Sequence, residues 1–245
     1  MADDDPAIQD HKRRLDAFYS GLKPVLRIAE QAQAKLDRHA ATAFSVFEYF
    51  HDNENALSRI FADLLDPKGR HGQGEAFLSL FLDRLDLKVK PPNLTSCRSS
   101  TEHSTATRRR IDIFLEFRGE IPFRIGIENK PWTGDADGQI ADYVAYLRSK
   151  GDNWVMLYLT GDGNPPSEVS IQQDCWEKYE ASQHFHVIPY RSSSAASSTL
   201  SLEGWLEDCR QVCEAERVRW FLKDCLDYIR YWFTPSEESV EEMRM

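Results

Sequence analysis

The chain has 245 residues, 41% of them hydrophobic and 29% charged, enough for a full core in one large domain or two small ones. Its net charge of −10 excludes a global basic footprint for nucleic acid, so any such site must be local or metal-assisted. Five scattered cysteines (Cys97, Cys175, Cys209, Cys213 and Cys225) are unlike a disulfide framework. There is no basic-then-apolar opening and no apolar run of bilayer length, so a reducing, cytoplasmic setting without membrane contact is expected.

MADDD reads as a frayed acidic start. From 7 to 39 the pattern is helical and charge-rich, and Pro24 is expected to kink or end it. A second helix is predicted over 53–65, where Leu57, Ile60, Phe61, Leu64 and Leu65 form a buried stripe that Asp66-Pro67 stops. After the turn KGRHGQG, Phe77, Leu78, Phe81, Leu82 and Leu85 mark a third helix. His71 in that turn is a candidate ligand, although a lone loop histidine more often caps or packs.

Beyond PPN at 91–93 the character changes. IDIFLEF (111–117) and PFRIGIEN (122–129) are strand-like, and a helix is predicted over 137–149. NWVMLYLT (153–160) is apolar on both faces, as a central strand is. GDGNPPS is a loop, HFHVIPY a further strand and RSSSAASST a flexible link. Two amphipathic helices follow near 201–214 and 217–232, the first burying Leu202, Trp205, Leu206, Cys209, Val212 and Cys213. The acidic tail SEESVEEMRM is expected to be disordered. This order predicts an α/β fold, a mixed central sheet flanked by helices, in one domain over 1–245. Residues 6–86 form its N-terminal helical part, and 94–232 the sheet-containing core with the C-terminal helices.

The chemistry concentrates where the strands end. Alternation puts Glu128 and Lys130 on one face of their strand and Ile127 and Asn129 on the other. On the preceding strand Ile111, Ile113, Leu115 and Phe117 share a face, with Asp112 opposite. A two-residue turn at Gly119 and Glu120 sets Asp112 across from Ile127, and one extra loop residue sets it across from Glu128. Either register brings the two carboxylates within roughly 5–8 Å. Such a pair must share a proton or a cation, and hard oxygen ligands suit Mg²⁺. Lys130 could then orient or help deprotonate a water. A surface Glu–Lys pair beside a solvated Asp112 is the bland alternative.

Glu54 borders the stripe of its helix and so looks toward whatever the helix packs on; a favourable charge at the helix N-terminus is its other reading. Gln139 and Tyr143 share a helical face and could meet a phosphate or support Lys130, against ordinary surface polarity. Arg108, Arg109 and Arg110 lead into Asp112 and could hold a nucleic-acid backbone, or form a solvated strand end. Glu102 precedes them with an undefined role.

Together these residues resemble the PD-(D/E)XK nuclease superfamily, in its restriction-endonuclease-like form. The resemblance rests on RRIDIF, IENK, NENALSRIFADLLDP and the Gln139-to-Tyr143 element in GQIADYVAYL. HGQGEAFLSLFL, IENKPWTGDADGQIADY and MLYLTGDG narrow it to a bacterial subfamily over roughly residues 45–165. It implies that Asp112, Glu128 and Glu54 bind Mg²⁺ (or Mn²⁺ as a substitute) and that Lys130 completes the catalytic set. Gln139, Tyr143 and Arg110 would support the site or bind substrate. It further implies phosphodiester hydrolysis, of DNA rather than RNA, in prokaryotic defence. A nonenzymatic binding module and an RNA-cleaving effector are the alternatives. The sequence departs from the family pattern at Ile111, where a proline is common, and at Asn129, where an apolar residue is usual. No recognition domain is visible, so specificity would need a partner protein or a homo-oligomer.

Overall fold

The computed structural model describes residues 6–40, 54–91, 93–132, 134–161, 163–191 and 200–233. Three helices come first: α1 (Pro6–Ala40), α2 (Glu54–Leu64) and α3 (Ala76–Leu85). Strands β1 (Cys97–Ser104), β2 (Arg110–Phe117) and β3 (Phe123–Lys130) follow. Next come α4 (Gln139–Ser149), β4 (Trp154–Thr160), α5 (Gln173–Ala181) and β5 (Phe185–Pro189), and α6 (Leu202–Val212) and α7 (Glu216–Trp232) complete the described fold. The sheet order is β1-β2-β3-β4-β5, antiparallel from β1 to β3 and parallel from β3 to β5. This is the expected mixed sheet flanked by helices.

Strand alternation divides the core in two. Ile113, Leu115, Ile125, Ile127 and Leu157 pack with Phe61, Phe77, Trp205 and Leu222 from α2, α3, α6 and α7. Phe114, Met156 and Tyr158 face the other way, onto Ile140, Tyr143 and Leu147 of α4. With helices on both sides, β4 is buried along its whole length, which is why it lacks a polar face.

Several expectations are corrected. Helix α1 continues past Pro24, so the proline does not end it; one missing N–H costs one rung while the flanking turns remain. Ile111 does not share a face with Ile113; it is buried with Phe114 and Leu147. A Cβ on Gly126 of the adjacent strand would lie 3.6 Å from the Ile111 methyl and 3.1 Å from Leu147, so the glycine leaves both of them room on that side. β1 was not anticipated, because CRSSTEHS carries almost no apolar alternation and serves as an edge strand. α5 was not anticipated either, as it fully buries none of its residues. Val212 is half exposed, whereas Cys209 and Cys213 are buried as expected. All five cysteines are unbridged. Among the described residues no helix is long and apolar enough to cross a membrane. MADDD, Asn53, the link at 192–199 and the acidic tail lie outside the described residues.

Candidate active site

The frame of the site is the β2–β3 hairpin. Its ladder pairs Phe117 with Phe123 and Ile113 with Ile127, and continuing it by one residue sets Asp112 across from Glu128. Of the two registers open to the sequence, the odd-length connection is the one formed. α2 packs across β2 and β3 and brings Glu54, in its first turn, over the strand ends. Glu54, Asp112 and Glu128 each offer a carboxylate oxygen, and these three atoms lie within 4.8 Å of one another.

Lys130 sits among them, its Nζ 2.8 Å from Glu128 Oε1 and 3.3 Å from Glu54 Oε1. Asp112 Oδ2 accepts the Asn129 backbone N–H at 2.8 Å. From α4, Gln139 Nε2 donates to Glu128 Oε1 at 2.6 Å and to the Tyr143 hydroxyl at 3.1 Å. The Tyr143 hydroxyl donates in turn to the Arg110 carbonyl at 2.5 Å. Gln139 and Tyr143 therefore lie beside the carboxylates, and Gln139 holds Glu128 and not Lys130.

Burial and mutual repulsion govern the charges. Burial pushes Asp112 up to about 6, although the Asn129 N–H and Lys130 pull the other way. Glu128, fully buried, is driven well above the usual carboxylate range by burial first and by Asp112 second. Burial alone would lower Lys130, yet Glu128, Glu54 and Asp112 together raise it, so it stays an ammonium. Burial and then Glu128 push Tyr143 up to about 12, which keeps its hydroxyl protonated and donating.

Does a divalent cation fit this set? Glu128 Oε2 is buried with no hydrogen-bond partner among the described residues, and its carboxylate belongs to a group of three. An orphaned buried carboxylate oxygen is costly unless a cation meets it. Once ionised, three carboxylates against one ammonium leave two negative charges for a cation to meet, all on hard oxygen donors. The residues fit the ion.

Other candidates stand apart. The Arg110 guanidinium is paired with Glu102 at 2.5 Å, so Arg110 touches the site only through its carbonyl. Arg109 is paired with Asp142 at 2.6 Å, and Arg108 is an exposed residue at φ 65°. His71 is fully buried, stacked on Phe77, with Nε2 2.9 Å from the Asp66 carbonyl and Nδ1 accepting the Gln73 N–H. Both ring nitrogens are thus engaged within the α2–α3 turn, which the ring helps to shape.

Sequence reasoning passed over Ser58 and Tyr190, and left Asn129 unexplained. Asn129 is fully buried; its Nδ2 donates to Ser58 Oγ at 3.1 Å and to the Glu54 carbonyl at 3.4 Å. Its Oδ1 accepts from the Tyr190 hydroxyl at 2.7 Å. The available signal was Ser58 itself, a hydroxyl four residues after Glu54 in a helix that is otherwise apolar on its inner side.

No curated protein and no solved structure matches the chain. A family model described as the PD-(D/E)XK nuclease superfamily does, over residues 42–242. The match reaches well past 165, taking in the C-terminal helices that no motif covered. It spans most of the chain, which therefore belongs to the PD-(D/E)XK nuclease superfamily.

Proposed function

We propose that the protein is a divalent-metal-dependent nuclease that hydrolyses phosphodiester bonds, with DNA as its substrate and Mg²⁺, replaceable by Mn²⁺, as its metal. Prokaryotic defence is the setting that the resemblance implies. The observation that carries this reading is the cluster of Glu54, Asp112 and Glu128 carboxylates around Lys130, in which Glu128 also keeps a buried Oε2 with no hydrogen-bond partner among the described residues. Glu54, Asp112 and Glu128 would hold the metal. When bound, it supplies Lewis acidity toward a phosphoryl oxygen.

The chain's own residues do the rest. Lys130, held protonated by the carboxylates around it when no metal is bound, is placed to donate hydrogen bonds that orient the attacking water. Its charge also faces the negative charge that develops on the phosphoryl group. Gln139 fixes Glu128 from the α4 side, and Tyr143 fixes Gln139. Asp112 is held by the backbone of the residue between Glu128 and Lys130, so the three move as one unit.

The test incubates purified protein with plasmid, single-stranded DNA and RNA, with Mg²⁺, Mn²⁺ or chelator. Cleavage of DNA only with metal, reduced at least a hundredfold in Lys130→Ala, is the expected result. Equal activity in Lys130→Ala would assign the cleavage to a contaminant. Cleavage confined to RNA would move the substrate assignment to an RNA-cleaving effector.

A further inference from the structure

Beside Lys130 the surface opens into a pocket of about 470 Å³, large enough for a small ligand group. Lys130 forms part of its wall, so the pocket is continuous with the candidate active site. Its other walls include Trp132, Tyr158, Trp232 and Phe233. Trp132 follows directly on Lys130-Pro131, and the proline ring fixes the backbone between them. The indole stacks on Phe233, with ring centroids 5.6 Å apart and planes 24° from parallel. Phe233 in turn lies 4.2 Å from Tyr190, the tyrosine bonded to Asn129. The aromatic platform is thus anchored to the residue between Glu128 and Lys130.

Two features of this platform point to a ligand. Trp132 is 51% exposed and Trp232 58% exposed, so much indole surface faces water although it is held in a defined geometry. Indole surface left in water does nothing for folding and is typical of a contact face. The pocket's acid, Asp135, accepts from the Tyr158 hydroxyl at 2.9 Å and from the Ser167 N–H at 2.6 Å. A fixed carboxylate repels a phosphate there and tolerates a flat, uncharged ring.

Charge argues in the same direction. With a net charge of −10, and with Arg109 and Arg110 both paired to acids, Arg108 is the exposed member left of that run, and among the described residues few cations stand beside the site to grip a phosphate backbone. Stacking of a base on an aromatic ring supplies about 1–3 kcal/mol without any cation. A base inside a duplex has both faces covered and cannot use it.

We infer that this pocket is a stacking subsite for one unpaired nucleobase next to the scissile phosphate, with Trp132 as its platform. The protein accordingly prefers single-stranded or locally opened nucleic acid to an uninterrupted duplex. This rests on the nuclease reading of the site.

The experiment measures kcat/KM on one sequence as single strand and as blunt duplex, with Mn²⁺, for the parent, Trp132→Ala and Trp132→Phe. The single strands are run as DNA and as RNA, since stacking reads the base and not the sugar. A second arm gives the parent protein single strands in which each position in turn is abasic, so the result does not depend on a variant folding. Faster cleavage of the single strand is expected, with about a tenfold loss in Trp132→Ala and most of it regained in Trp132→Phe. One abasic position beside the cut should reproduce the loss in the parent. Unchanged cleavage by Trp132→Ala, a flat abasic scan, or a parent that prefers intact duplex would each overturn the subsite. A parent that cuts no nucleic acid at all would overturn the nuclease reading instead, a result distinct from any of these.

Discussion

The Asn129 side chain makes its polar contacts where water cannot reach, linking β3 to α2 through Ser58 and the Glu54 carbonyl and to the end of β5 through Tyr190. At a position where the family usually has an apolar residue, this chain anchors the very turn that carries Glu54. The cost of removing the anchor follows from the asymmetry of buried hydrogen bonds: a polar group left without its partner loses more than a partnered pair gains. Asn129→Leu, close in volume, strands the buried Tyr190 hydroxyl and is expected to cost about 1–3 kcal/mol. Tyr190→Phe in the same background removes the stranded group, so the double variant should be more stable than the sum of the two single losses. Denaturant unfolding of the four proteins measures this, and strict additivity would show that the hydroxyl and the amide do not interact. Alternation along the strand showed that Asn129 points away from Lys130. It could not show the partners, which lie 71 and 61 residues away.

At the scale of elements, the site depends on how closely strand ends approach one another. A Cβ at Gly161, just after β4, would collide with the Pro131 carbonyl and with the Phe233 ring. That close approach seats the Lys130-Pro131-Trp132 segment against the end of α7. Gly161→Ala should therefore cost about 1–3 kcal/mol through displaced backbone and lower cleavage of single strands, while Gly119→Ala, in open space, leaves both unchanged. Thermal unfolding of the two variants compares them directly. Elements with strong apolar periodicity were legible in the sequence: α2, α3, β2, β3, β4 and the C-terminal helices form where their stripes announced them and bury most of those stripes, Val212 being an exception. β1 and α5 were not, because one is a polar edge strand and the other buries nothing fully. The Asp112–Glu128–Lys130 set could be read because residues opposite one another in a hairpin are constrained to meet. What Gln139 touches depends on the crossover of α4 over β3, which local spacing does not determine.

Over the whole molecule the acidic balance matters most where it is concentrated. With no cation, the folded protein holds protons on Asp112 and Glu128 that the unfolded chain would release. Asp112 moves from 3.8 to about 6 on folding, chiefly through burial, and Glu128 moves further in the same direction. A carboxyl raised in the folded state gives stability at low pH that is lost as pH rises through the folded value. Asp112 alone accounts for about 3 kcal/mol over its full titration, about 2 kcal/mol of it between pH 4 and 6. A divalent ion takes the place of those protons, so its stabilising effect must grow as they leave. At about pH 7.5, Mg²⁺ or Mn²⁺ at a hundred times its Kd adds about 2.7 kcal/mol, a rise in Tm of roughly 5–10 °C for a chain of this size. At about pH 5 the same metal concentration should give a much smaller rise, because protons compete for the same oxygens. Asp112→Asn should lessen the metal-free pH dependence, leaving the part due to Glu128, and remove most of the metal effect, since the asparagine neither titrates nor carries charge. Scanning calorimetry with chelator and with metal at both pH values distinguishes this from general ion effects. A metal-induced rise equal in the parent and Asp112→Asn, or larger at the lower pH, would place the ion somewhere other than this cluster.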